Sequence, residues 1–154
     1  MRGLRAILLP VFLLTTGQVH AAEDIPVNKV VRAYDADTVT VQYQKDGKVI
    51  IESIRVRNID APEMGWRAKC AREAIIAELA RDEARRFLAS GKKVELVGVI
   101  SRDRFKRLRA RIEVDGKDLG QHLLSKKNPD LVRPWIEKGW NGVEKDWCAE
   151  EVSR

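Results

Sequence analysis

The sequence predicts a mainly β, α+β fold: a small five-stranded barrel, with one long helix between the third and fourth strands and a short helix near the C-terminus. Three features predict it. Five short runs read as strands, and three of them, Thr38 to Gln44, Ile54 to Arg57 and Leu108 to Val114, alternate apolar and polar residues, the period of two expected where one strand face is buried. Only one stretch, Ile75 to Leu88, repeats apolar residues at helical spacing. Asp46-Gly47 and Asp115-Gly116 are tight-turn pairs at the ends of strand runs.

Residues 23–27 read as a lead-in broken by Pro26, since proline donates no ladder hydrogen bond. Lys29 to Tyr34 reads as the first strand and Asp35-Ala36-Asp37 as a polar break. Thr38 to Gln44 alternates, with Val39, Val41 and Tyr43 on one face. Asp46-Gly47 turns the chain into Val49 to Asn58, where Ile54 and Val56 face away from Arg55 and Arg57. Pro62 stops that ladder, in a loop running on to Lys69. The long helix has an apolar stripe of Ile75, Ile76, Leu79, Ala80, Ala84, Phe87 and Leu88, and Gly91 falls where a C-cap glycine belongs. The helix reads as a core lid without a site of its own.

Lys93 to Ile100 is the fourth strand and Ser101 to Lys106 a charged connection. Leu108 to Val114 is the fifth strand, with Leu108, Ala110, Ile112 and Val114 inward. Asp118 can cap a short helix to about Lys126, and Asn128-Pro129 breaks it. The tail, with Trp135, Trp140 and Trp147, reads as irregular. This order is that of a closed Greek-key barrel of the OB type.

Residues 1–22 are expected to be a cleaved signal peptide. Met1 to Arg5 carries two arginines, Ala6 to Leu14 is apolar but too short to span a bilayer, and Val19-His20-Ala21 offers small residues at a cleavage site. The alternative is an N-terminal anchor. Residues 23–154 then form a single exported domain, periplasmic or secreted, away from membranes after processing and expected as a monomer. Its formal charge falls from +6 to +4, 27 basic residues minus 23 acidic, because the leader holds two arginines and no acids. A basic exported domain suits a polyanionic partner. Export permits a Cys70–Cys148 disulfide, the expected state, against two separate thiols.

The chemistry concentrates in four stretches. Asp35 and Asp37 follow the first strand; Asp60 and Glu63 flank Pro62 after the third. Strands one and three can each neighbour strand two, so these loops can meet. Converging carboxylates repel unless a cation joins them, and an oxygen-only donor set favours calcium or magnesium. Ordinary turn chemistry is the alternative for these acids. Ser101 to Arg111 carries Arg102, Arg104, Lys106, Arg107, Arg109 and Arg111, a run that grips phosphates or forms a solvated strand face. His122 is the only histidine after processing and reads as structural or exposed.

Three blocks together resemble the staphylococcal-nuclease-like (thermonuclease) family. Tyr34-Asp35-Ala36-Asp37-Thr38-Val39 is similar to its Asp-Gly-Asp-Thr block. Ile54-Arg55-Val56-Arg57-Asn58-Ile59-Asp60-Ala61-Pro62-Glu63 is similar to its Arg…Asp-(Thr/Ala)-Pro-Glu block, and Asp103-Arg104-Phe105-Lys106-Arg107 to its Asp-(Lys/Arg)-Tyr-Gly-Arg block. Order and spacing agree from about Val27 to Trp135. Ala36 and Lys106 stand where the family has glycine, and Phe105 where it has tyrosine.

The resemblance implies a calcium ion held by the Asp37 and Asp60 carboxylates and the Ala61 carbonyl. It implies Glu63 as general base, with Arg55 and Arg107 on the target phosphate. The expected function is a calcium-dependent endonuclease, a hydrolase of DNA and RNA that prefers single strands and leaves 3′-phosphate ends. The rival expectation is a catalytically silent OB module that binds nucleic acid or protein. Trp135 is expected in the core, with base stacking as the alternative.

Overall fold

The structure is a computed structural model describing residues 24–125, 131–135 and 147–149. The expected signal peptide (residues 1–22), the expected break at Asn128-Pro129 and Trp140 lie outside the described residues. Strand β1 (Ile25–Ala33) pairs antiparallel with β2 (Thr38–Lys45), with register shifts between Val27 and Lys29 and between Val30 and Arg32. Such irregularities bend and twist a strand, which helps a sheet curl. Strand β3 (Lys48–Val56) returns along β2 in unbroken register from Lys45↔Lys48 to Thr38↔Arg55. Asp46 and Gly47 turn between them with φ of 50° and 72°, the left-handed pair a two-residue hairpin needs.

A two-residue strand β4 (Ile59–Asp60) and a turn of 3₁₀ helix (Gly65–Arg67) lead into α1 (Ala71–Leu88). Strand β5 (Val94–Val97) pairs antiparallel with both β1 and β6 (Leu108–Val114). Parallel pairing of β6 with β3, from Ile54↔Leu108 to Val56↔Ala110, closes a five-stranded barrel. The short β7 (Lys117–Asp118) follows, then α2 (Leu119–Leu123), whose first turn is capped by Asp118 accepting from the Gln121 amide. Strand β8 (Arg133–Pro134) pairs antiparallel with β4.

The alternation in β2 and β6 does what the sequence implied. Val39, Val41, Ile54, Ala110 and Ile112 are fully enclosed. Each large aliphatic chain so buried contributes about 1.5–3 kcal/mol relative to exposure. Ala80, Ala84, Phe87 and Leu88 of α1 join the same core.

Several expectations are corrected. β1 begins at Ile25 rather than Lys29, because Pro26 sits in the strand's opening residues, where proline is tolerated. The fourth strand stops at Val97, since Gly98 turns to a φ of +59°. The helix stripe is rotated: Ile75 and Leu79 are 61% and 54% exposed, while Glu73 and Ala77 are buried. Inward positions 73, 76–77, 80, 84 and 87–88 hold the period of a buried face. Gly91 is not a left-handed cap. A Cβ there would lie 2.4 Å from Asp115 Oδ2, and that carboxylate accepts from the Lys92 and Lys93 amides. The short helix ends at Leu123, before Lys126, and the tail contains a strand.

Cys70 and Cys148 form a disulfide with their Cα atoms 5.9 Å apart, tying the N-cap of α1 to the C-terminal segment. Among the described residues no helix is long and apolar enough to cross a membrane.

Candidate active site

Asp37, Arg55, Asp60, Ala61, Glu63 and Arg107 all line one open cleft of about 670 Å³. Asp37 lies just before β2 and Arg55 near the end of β3; the Thr38↔Arg55 register makes them neighbours. Arg55 Nη1 is 3.0 Å from Asp37 Oδ2, and Nη2 is 3.3 Å from Asp60 Oδ1. Nη1 also donates to the carbonyls of Val56 and Ile59 at 2.9 Å, which bends the chain around the guanidinium after β3. Asn58 takes a φ of +65° in that bend, a conformation asparagine accepts more readily than most residues.

Asp37 is 6% exposed. Its Oδ1 accepts from the Thr38 hydroxyl at 3.0 Å and its Oδ2 from the Ala61 amide at 2.9 Å. Burial lifts its pKa to about 7; Arg55 opposes the rise, Asp35 adds to it, the Ala61 amide opposes it and Asp60 adds a little more. Asp60 is also held from the other side. Its Oδ2 accepts from Arg133 Nε at 2.7 Å and is paired with Arg133 Nη2. Arg133 lies over the buried Trp147 ring at 4.8 Å, next to the disulfide.

Arg107 enters from the other side of the barrel seam, at the start of β6. Asp103 aims it: Oδ1 accepts from the Arg107 amide at 2.9 Å and Oδ2 from Nε at 2.7 Å. Burial works to raise the Asp103 pKa, but hydrogen bonds from the Arg107 side chain and backbone outweigh it, and the net shift is downward. Arg107 Nη1 donates to the Thr38 hydroxyl at 2.9 Å. Lys106 takes a φ of +64° to complete this turn, the shape for which glycine is suited. Phe105 is exposed, with Arg104 and Arg107 over its ring at 4.7 and 5.3 Å.

Glu63 projects at the surface of the cleft, and no described residue hydrogen-bonds its carboxylate. Partial burial raises its pKa; Arg67 opposes this, while Asp35, Asp60 and Glu73 reinforce it. Trp135 is half-buried in the cleft wall rather than packed in the core, its amide bonded to Asn58 O at 2.9 Å. His122 is structural: Nε2 lies 2.6 Å from Glu83 Oε1, and the ring stacks on Phe87.

Asp35, Asp37 and Asp60 line one cleft and offer oxygen donors only, the type a hard cation takes, while Arg55 spans Asp37 and Asp60. Among the described residues no group of three or more His, Cys, Asp or Glu side chains converges as a metal cluster. A site with two carboxylates and a backbone carbonyl would take its remaining ligands from water and substrate. Sequence reasoning assigned no role to Thr38, Asp103, Arg133 or Glu73. Thr38 is a hydroxyl at the start of a strand run, and Asp103 lies four residues before the arginine it holds; those were the available signals. No family model matches this chain, and no curated protein matches it.

Proposed function

We propose that the chain is an exported calcium-dependent endonuclease that hydrolyses DNA and RNA, with a Greek-key OB-type barrel as its scaffold. The observation that carries the reading is that one cleft gathers, from three separate stretches, two carboxylates, an accessible third carboxylate and two guanidiniums already oriented by acid partners. Glu63 is the group with the freedom to accept a proton from an attacking water. Water oxygen bonds to phosphorus as the P–O5′ bond breaks; O5′ leaves with the bonding pair and takes a proton from solvent, and the phosphate stays on the 3′ side. Arg55 and Arg107 hold the non-bridging oxygens and stabilise the charge that builds there. Calcium held by Asp37, Asp60 and the Ala61 carbonyl would supply further neutralisation of that charge. The open cleft, rimmed by exposed Phe105 and half-buried Trp135 among arginines, suits unpaired strands whose bases stack.

One observation favours a second reading, an OB module that binds nucleic acid without cutting it. Arg55 spans Asp37 and Asp60, and Arg133 also binds Asp60, so both acids have cationic partners. Digestion of heat-denatured DNA by the purified protein, with calcium and then with chelator, separates the two. Calcium-dependent cutting that disappears in Glu63→Gln supports the nuclease. Salt-sensitive binding by folded protein with no cutting supports the module.

A further inference from the structure

α1 carries a carboxylate that the proposed reaction does not use. Glu73, in the helix's first turn, is 3% exposed. Its two oxygens turn back onto the loop before the helix: Oε1 accepts from the Glu63 amide at 3.2 Å and Oε2 from the Lys69 amide at 2.6 Å. A carboxylate this deep is costly unless it is hydrogen-bonded, and each of its oxygens has an amide donor here. A capping-box acid would reach the N-cap amide. Glu73 instead bonds the residues on the far side of Cys70, while Cys70 Sγ accepts from the Glu73 amide at 3.4 Å.

The loop it grips is mostly irregular. Between Glu63 and Cys70 there is one 3₁₀ turn, Gly65 takes a φ of +56°, and Trp66 is 89% exposed. Pro62 is buried and anchors the entry. The disulfide anchors the exit. Glu73 ties both ends to a rigid helical turn.

We propose that Glu73 is the positioning residue of Glu63, clamping residues 63–69 so that the Glu63 carboxylate stays over the cleft. The inference rests on Glu63 as the base, where misplacement by about 1 Å can cost about a hundredfold in rate.

The test compares Glu73→Ala, Glu73→Gln and Glu63→Gln in the disulfide-bonded protein. Two readouts are used: amide hydrogen exchange at Glu63 and Lys69, and kcat and KM on heat-denatured DNA with calcium. In Glu73→Ala both amides should exchange at least about tenfold faster, while amides in β2 and β6 keep their rates. Its kcat should fall about tenfold to a hundredfold with KM nearly unchanged. Glu73→Gln keeps one oxygen acceptor and should recover part of both effects; it also keeps the test open if the alanine variant does not fold. Unchanged exchange at Glu63 in a folded variant overturns the clamp. So does full kcat in Glu73→Ala beside an inactive Glu63→Gln. Full activity in Glu63→Gln overturns the reading of the base instead.

Discussion

The Thr38 hydroxyl accepts a hydrogen bond from Arg107 Nη1 at 2.9 Å and donates one to Asp37 Oδ1 at 3.0 Å. One buried hydroxyl thus couples the arginine at the start of β6 to the acid before β2. Thr38→Val keeps the β-branched shape and removes the link. An unsatisfied buried partner costs about 1–3 kcal/mol. On the proposed nuclease reading, activity on denatured DNA should therefore fall about tenfold or more, with the circular dichroism spectrum unchanged. Wild-type kcat in the variant would mean that Arg107 is aimed by Asp103 alone.

Lys106 holds a φ of +64°. A left-handed conformation costs a non-glycine residue roughly 1–2 kcal/mol. Lys106→Gly relieves this but gives the unfolded chain more freedom, so a net gain of about 0.5–1 kcal/mol is expected. A urea midpoint that rises at constant slope would show it. A midpoint that falls would show that the lysine side chain contributes more than its backbone costs.

The Cys70–Cys148 bridge spans 78 residues of sequence. On the chain-entropy account, closing a loop of that size stabilises the fold by about 4 kcal/mol. Reduction, or Cys70→Ala with Cys148→Ala, should lower the denaturation midpoint accordingly. It should also loosen Trp147, whose ring is buried beside Arg133. The expected sign is a red shift in tryptophan emission before global unfolding. Coincident transitions by emission and circular dichroism would show that the segment does not loosen first.

Glu83 on α1 has its pKa lowered, chiefly by the hydrogen bond from His122 on α2 and next by that from Arg86. A depressed folded-state pKa means stability that is present above the unfolded value, near 4.5, and is lost as pH falls through the folded one. Glu83→Gln should therefore be less stable than wild type near neutrality, and the gap should narrow as pH drops below about 4.5. Parallel midpoint-against-pH curves would remove the pair from the acid response.

Much of the barrel was legible because its signals are local. Val39, Val41 and Tyr43 in β2, and Ala110, Ile112 and Val114 in β6, alternate along a few residues and are buried as they read. The Asp46-Gly47 and Asp115-Gly116 turns needed only residues that accept positive φ. On the helix face Ile76, Ala80, Ala84, Phe87 and Leu88 are buried as read, but Ile75 and Leu79 were misjudged, because Ala77 carries little hydropathic weight beside them and Glu73 reads as polar. The six candidate residues could be named from short motifs. Their wiring could not. Thr38 meets Arg107 across 69 residues, Asp60 meets Arg133 across 73, and neither spacing leaves a periodic trace.

The β4–β8 pairing joins an early part of the chain to a late one. Asp60 and its neighbour Arg133 are 73 residues apart, and β8 follows all five barrel strands in the chain. At roughly 5–20 residues per second of synthesis, the acid emerges some 4–15 s before the arginine that flanks it. During that interval the barrel strands can emerge and begin to pair while one wall of the cleft has yet to be made. A chain stopped short of residue 133 keeps every residue assigned to the chemistry and lacks the strand that borders Asp60. Of the described residues that line the cleft, Trp135 is thus the last to be synthesised.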